Sequence, residues 1–370
     1  MSAPLRFLLS GGGTGGHIFP AISIADGLRA RFPHCEIEFV GASGRMEMDK
    51  VPAAGYRITG LPMAGFQRKQ LLANAGLPWK IASSLVQCYR LLRRFQPDAV
   101  IGTGGYASAP TLWMAQRMGI PTLVQEQNSY AGVTNRWVSK RAAAVCVAYD
   151  GMEQWFPAGI THKTGNPVRA AVAELAQHPV TPEQRNAAAV RLGLDPLRPI
   201  LVVLGGSLGA RAINQAVAQA WPQWTAEGIQ VFWQCGGLYH ESLRKQLPAE
   251  AKDVHLTAFV QDMPTLYQAA DLVISRAGAG TLSELTCAGL PAFLVPSPNV
   301  AEDHQTHNAR ALENAGAAVL VPETQISTLS ERVLEAFRQP DELARLRQNS
   351  LALALPRATE AIVEHIVQAL

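Results

Sequence analysis

Four times in this chain a short apolar run ends in a cluster of small residues and gives way at once to a helical pattern. These stretches are LRFLLSGGGTGGHIFPA, DAVIGTGGYASAP, PILVVLGGSLGARAINQ and DLVISRAGAGTLSEL. A strand that turns straight into a helix through glycine brings bare backbone N–H groups to the helix N-terminus, where an anion or another backbone can approach closely. Short apolar runs alternating with longer helical patterns predict a doubly wound α/β protein with parallel sheets, whose ligands bind beyond the carboxyl ends of the strands.

The strand candidates fall into two series. LRFLLS, EIEFVG, DAVIGT, PTLVQE and AAVCVAY precede HKTGNPVR (His162 to Arg169), whose Gly and Pro punctuate a crossing between domains. PILVVLGG, IQVFWQCGG, DVHLTAFV, DLVISRAG, PAFLVPSP and AAVLVPE follow it. A chain of 370 residues also exceeds what one core usually serves. We therefore expect an N-terminal Rossmann-like domain over 1–165, a second over 166–340 facing it across a cleft, and C-terminal helices over 341–370.

Hydrophobic residues at 48% and charged residues at 16% exclude general disorder. Cys35, Cys88, Cys146, Cys235 and Cys287 have no CxxC or Cys/His ligand spacing, so neither a disulfide framework nor a zinc site is expected, and a reducing cytoplasm fits. The start lacks the regions of a signal peptide, and no apolar run reaches the ~18 residues of a membrane span.

The net charge of +3 is unevenly spread: residues 1–165 hold 17 Lys/Arg against 9 Asp/Glu, the remainder 15 against 20. No acid lies between Asp49 and Asp98, whereas Arg57, Arg68, Lys69, Lys80, Arg90, Arg93 and Arg94 do, interleaved with Phe66, Leu71, Leu72, Leu77, Trp79, Ile81, Leu85, Tyr89 and Phe95. This is the pattern of a segment docking on an anionic membrane surface; a core-facing amphipathic helix with a solvated basic face has the same composition. Nucleic acid is not expected, because no binding motif accompanies the charge.

Among the motifs, the loop Ser10 to His17 is neither a full dinucleotide fingerprint nor a P-loop, and it reads as a phosphate-binding turn or a tight structural one. His17 stands at the mouth of the following helix, where a general base and a capping or solvent-facing side chain are equally consistent with position. Gly102, Gly104 and Gly105 repeat the turn. Glu126, Gln127 and Asn128 end a strand, where three successive polar side chains suggest substrate hydrogen bonding. Ser207, in GGSLGA, is placed to donate to a phosphate or sugar oxygen. Arg276 and the small residues Ala277 to Gly280 let a ligand lie against backbone, the N–H groups near Thr281 and Leu282 face a diphosphate, and Glu284 suits the two hydroxyls of a ribose. Glu302, Asp303, His304, Gln305, His307 and Asn308 read as sugar contacts rather than metal ligands, since HExxH and paired thiolates are absent.

Taken in order, GGTGGHIFPA, GGYASAP, EQNSYAGVTNR, GNPVR, GGSLGA, AGAGTLSEL and HQTHNA resemble the motifs of the MurG family, the peptidoglycan N-acetylglucosaminyltransferases, from Gly12 to Ala309. The resemblance implies the glycosyltransferase B fold, with the last helix crossing back to the first domain, and an inverting transfer from UDP-N-acetylglucosamine to a lipid-diphosphate-linked N-acetylmuramyl-pentapeptide without a required metal or other cofactor. It implies a peripheral enzyme on the cytoplasmic face of the inner membrane, with cell-wall synthesis and division proteins as further partners and with Trp113 and Lys140 as additional membrane contacts.

By position it assigns Thr14, Gly15, Gly16, Asn128, Arg169, Ser207, Val260, Ala279, Gly280, Thr281, Leu282, Ser283, Glu284 and Gln305 to the donor. Gly13, Gly104, Gly105, Tyr106 and Glu126 go to the acceptor, and His17 becomes the general base. Gln125 and His304 depart from the family's usual His and Gln. The rival readings are a transferase for diacylglycerol or a soluble aglycone, a sugar-nucleotide 2-epimerase, and a nucleotide-sugar-binding regulator without turnover.

Overall fold

The computed structural model describes residues 4–63, 77–206, 209–248 and 251–370. The chain divides into two compact units, residues 1–168 with 357–370, and residues 169–356.

In the first unit the order is β1 (Arg6–Gly11), α1 (Gly15–Arg31), β2 (Glu36–Ala42), α2 (Glu47–Ala53), β3 (Arg57–Leu61) and α3 (Leu77–Phe95). Then come β4 (Ala99–Gly104), α4 (Ser108–Arg117), β5 (Thr122–Glu126), α5 (Val133–Val138), β6 (Ala144–Val147) and β7 (Thr161–Lys163). The seven strands are parallel and ordered β3-β2-β1-β4-β5-β6-β7.

The second unit begins with α6 (Ala170–Gln177), α7 (Pro182–Arg191), β8 (Ile200–Leu204), α8 (Arg211–Ala226), β9 (Gln230–Gln234), α9 (Gly237–Gln246) and β10 (Val254–Thr257). It continues with α10 (Met263–Ala269), β11 (Leu272–Ser275), α11 (Ala279–Ala288), β12 (Ala292–Leu294), α12 (His304–Asn314), β13 (Val319–Leu320), α13 (Leu329–Arg338) and α14 (Pro340–Ala352). Its six parallel strands run β10-β9-β8-β11-β12-β13.

Both orders place the first strand of the series beside the fourth, which is the Rossmann arrangement. The chain reverses its winding between β1 and β4, and again between β8 and β11, so the loops leaving those strands part and leave room for a ligand. Each of the glycine-rich turns read from the sequence leaves one of these four strands.

Both faces of each sheet are covered, which is why the strands are apolar runs rather than alternating ones. On β1, Phe7 and Leu9 face a core that includes Ile18, Ile24 and Leu28 of α1, whereas Leu8 faces one with Val40, Val100 and Leu112. The last helix, α15 (Ala358–Gln368), belongs to the first unit, where it buries Ile362, Val363 and Ile366 in the α1 core. Gly27 lets that helix in, because a Cβ there would lie 2.6 Å from Thr359. Trp224 and Trp233 centre the core of the second unit.

Candidate functional site

At the switch point of the first unit two backbones nearly touch. Gly12 N–H donates to the Gly104 carbonyl at 3.2 Å. A Cβ on Gly105 would lie 2.1 Å from the Gly12 oxygen, and one on Gly104 2.9 Å from the His17 ring, with φ of +87° and +103° at the two glycines. Both glycines, expected at the acceptor, are thus accounted for by the close approach of two loops.

The first loop is held from within. Glu47 of α2 is fully buried, and its carboxylate accepts from Gly13 N–H at 3.1 Å and Ala42 N–H at 2.9 Å. Gly13 N–H is therefore taken up internally, whereas Gly15 and Gly16 N–H, in the first turn of α1, have no partner among the described residues. Thr14 caps that turn in extended conformation and is exposed. Tyr106 is 46% exposed and lies beside Gly13. An acid in RMEMDK, with Asp49 two residues on, carries no local signal of such a contact, which is why sequence reasoning missed Glu47.

His17 is half-buried, and its Nδ1 lies 2.9 Å from both the Thr103 carbonyl and Gln127 Oε1. The neighbouring triad is turned inward. Glu126 is buried, and its oxygens accept from Asn128 N–H at 3.1 Å, Asn128 Nδ2 at 3.2 Å, Gly132 N–H at 3.0 Å and Asn135 Nδ2 at 2.9 Å. Its carboxylate, expected at the acceptor, shapes the loop after β5. Gln125 donates to Asn166 Oδ1 at 2.9 Å.

In the second unit β8 leads through Gly205 and Gly206 toward α8; Ser207 lies outside the described residues. The small residues before α11 leave its N-terminus open, and the N–H groups of Ala279, Gly280 and Thr281 lie ahead of the first intrahelical bond, Leu282 N–H to Gly278 O. One turn in, Glu284 Oε2 accepts from Tyr267 Oη at 2.9 Å and Oε1 lies 3.5 Å from Arg169 Nη1. Burial raises the Glu284 pKa from its ordinary value, against the lowering effects of Arg169 and the Tyr267 hydroxyl. Burial and the adjacent carboxylate push Tyr267 well above its usual value, so it stays a donor.

Val260 follows β10, and its backbone N–H and carbonyl have no partner among the described residues. Gln305, in the first turn of α12, accepts from Ser297 N–H at 2.9 Å. It lines a cavity of ≈ 540 Å³ together with Gly209, Arg211, Gln215, Arg276, Ser297 and Asn299. Glu302 and Asp303, at φ of +57° and +49°, hold a strained left-handed turn just before it. Arg276 is committed to Glu323 at 2.9 Å and to the carbonyls of Val295 and Pro296 at 3.1 and 3.0 Å, so it braces the loop after β12.

Of the residues expected at the donor, Thr14, Gly15, Gly16 and Asn128 lie in the first unit. Arg169, Val260, Ala279 to Glu284 and Gln305 lie in the second. Among the described residues no group of three or more His, Cys, Asp or Glu is set to hold a metal ion.

In the basic stretch, Phe66, Arg68, Lys69, Leu71 and Leu72 lie outside the described residues. On α3, Cys88, Leu91 and Leu92 are buried, while Trp79, Val86 and Tyr89 are exposed beside exposed Lys80, Arg90 and Arg93. One face of the helix is core and the other is basic and apolar. Trp113 stacks under Arg117, 5.0 Å from its ring centroid, and Lys140 is exposed. Among the described residues no helix is long and apolar enough to cross a membrane.

Two Rossmann-like units, each with its small-residue turns at the strand switch point, define the class of nucleotide-sugar enzymes of glycosyltransferase B form. The glycosyltransferase family 28 N-terminal domain matches residues 7–147 and its C-terminal domain residues 200–363, and this chain belongs to that family. It is 48% identical over 370 residues, 99% of this chain and 96% of the relative, to the UDP-N-acetylglucosamine--N-acetylmuramyl-(pentapeptide) pyrophosphoryl-undecaprenol N-acetylglucosamine transferase of Phocaeicola vulgatus. The crystal structure of Acinetobacter baumannii MurG superposes with a TM-score of 0.77 at 28% identity, covering 99% of this chain and 100% of that one. The UDP-GlcNAc 2-epimerase of Neisseria meningitidis, at 15% identity, TM-score 0.65 and coverage of 99% and 100%, shares the fold.

Two expectations follow from this geometry. Gly105→Ala places a methyl group against the Gly12 carbonyl at positive φ, and should lower stability by at least about 2 kcal/mol in urea unfolding followed by a probe in the first unit. Because the Glu284 pKa is raised, UDP affinity measured by calorimetry should weaken as pH falls while ordinary carboxylates are still ionised. Arg169→Ala removes a lowering charge, so it should move that loss to higher pH.

Proposed function

We propose that this chain transfers N-acetylglucosamine from UDP-N-acetylglucosamine to the 4-hydroxyl of undecaprenyl-pyrophosphoryl-N-acetylmuramyl-pentapeptide, at the cytoplasmic face of the cell membrane. The observation that carries the reading is the 48% identity, over nearly the whole of both chains, to a relative named for that transfer. The chemistry at hand suits it. The acceptor 4-oxygen attacks the anomeric carbon, its proton passes to Nε2 of His17, and the bond from that carbon to UDP breaks with its electron pair leaving on the diphosphate.

The N-terminus of α11 is the group we assign to stabilising the departing diphosphate, a task that needs no metal ion when oriented N–H groups perform it. Glu284 accepts the ribose hydroxyls, the Val260 backbone meets the uracil, and Gln305 with Ser207 and the strained turn before α12 holds the donor sugar and phosphates. Gly15 and Gly16 N–H, with Thr14 and Asn128, border the donor from the first unit. Gly13 and Tyr106 border the acceptor, with Glu126, Gly104 and Gly105 acting through the loops they shape. The exposed basic and apolar face of α3 docks on anionic lipid, each base there contributing about 1 kcal/mol.

The test is transfer of radiolabelled N-acetylglucosamine from its UDP form to the lipid-linked acceptor, in anionic and in zwitterionic vesicles, with a chelator present throughout. Wild type should form product, faster on anionic vesicles. His17→Ala should lose turnover by ~10² or more while still binding UDP, and Glu284→Ala should lose donor affinity. Conversion of the donor with no acceptor present would instead favour the epimerase reading, and UDP binding without any product would favour a transferase for another acceptor or a regulator without turnover.

A further inference from the structure

We infer that Gln127 is a positioning residue for the transfer, its side-chain oxygen holding His17 in the tautomer that leaves Nε2 bare to take the acceptor's proton. The inference deepens the reading of His17 as the base and rests on it. His17 Nδ1 faces two oxygens at 2.9 Å, the Thr103 carbonyl and Gln127 Oε1. Neither oxygen can donate, so Nδ1 carries the hydrogen; the other tautomer would aim a lone pair at both. Nε2 makes no hydrogen bond among the described residues and is left as the ring's acceptor.

The direction of the Gln127 amide is fixed in turn. Its Nε2 lies 2.8 Å from the Thr103 carbonyl and 3.0 Å from the Gln125 carbonyl, with Gln125 Oε1 beside them, so its two hydrogens are shared among three oxygens. Turned over, the amide would set its oxygen against three oxygens and its NH₂ against the histidine. The line continues through buried groups: Gln125 Nε2 donates to Asn166 Oδ1 at 2.9 Å, and Asn166 Nδ2 donates to the Gln127 carbonyl at 3.0 Å. Gln125, Gln127 and Asn166 are all nearly inaccessible to water, so no solvent competes for these amides.

An amide orients the ring without a counter-charge. A carboxylate in the same place would stabilise the imidazolium and hold the proton back. The ionisable groups on the surrounding elements have partners of their own. Glu47 of α2 and Glu126 of β5 accept N–H bonds, Asp26 of α1 accepts from Tyr56, and Arg136 of α5 stacks on Trp155. Of the two oxygens at Nδ1, the Thr103 carbonyl belongs to the backbone, so Gln127 is the acceptor that a substitution can remove.

The measurement is the ¹⁵N chemical shift of the His17 ring nitrogens in wild type, Gln127→Leu and Gln127→Glu, with pH–rate profiles of the transfer and UDP affinity alongside. Wild type should show protonated Nδ1 and bare Nε2. Gln127→Leu should raise the fraction protonated at Nε2 and lower kcat at least tenfold, with UDP affinity changed less than twofold. Gln127→Glu keeps an oxygen at Nδ1 as its neutral acid, whose O–H replaces the amide as donor toward the oxygens around it, so it should recover the tautomer and the turnover that Gln127→Leu loses. A Gln127→Leu ring that keeps the wild-type tautomer overturns the inference whatever the activity does. Full turnover in His17→Ala would remove the base and leave the tautomer result standing, so the two failures are distinct.

Discussion

The first unit depends on the contact of two peptide backbones with no side chain between them. Gly12 and Gly105 approach so closely that a single methyl group would lie 2.1 Å from a carbonyl oxygen, far inside van der Waals contact. The contact draws the end of β4 against the start of α1, and it brings the Thr103 carbonyl within hydrogen-bond reach of the His17 ring. It also sets Thr103 Oγ1 to donate to the His17 carbonyl at 2.8 Å, so the histidine is tied to the second loop by both backbone and ring. Glu47 closes the other side of the loop through buried hydrogen bonds to Gly13 and Ala42 N–H.

The second unit uses the same strand order for a different end. Its small residues clear the N-terminus of α11, and the acidic group there is a desolvated carboxylate balanced against one arginine and one buried tyrosine. Removing a carboxylate from water costs free energy that hydrogen bonds only partly offset, so Glu284 is ready to gain from new donors such as hydroxyls. One unit thus fixes a histidine ring, and the other holds an open helix N-terminus beside a desolvated carboxylate.

What the sequence made legible was whatever repeats along it. Strand runs, glycine turns and helix starts follow from local periodicity, and they gave the two strand series and the four turns that the structure places at the switch points. Side-chain partners separated by tens of residues left no such trace. Gln127 read as one of three polar residues facing a substrate, yet it and Glu126 turn inward, because a loop leaving a buried strand must satisfy its own N–H groups. Arg276, read with the ligand turn, is taken up by Glu323 and two carbonyls. The charge pattern around α3 could not separate an exposed basic and apolar face from a core face, since that helix has both.

In the proposed reaction, an acceptor hydroxyl that gives its proton to His17 displaces UDP directly at the anomeric carbon. The stereochemistry of the product tests it most directly. NMR of the disaccharide released from the lipid product, made from α-linked UDP-N-acetylglucosamine by wild-type enzyme, should show a β linkage to the 4-oxygen of N-acetylmuramic acid. An α linkage would contradict a single displacement and require either a covalent intermediate or departure before attack.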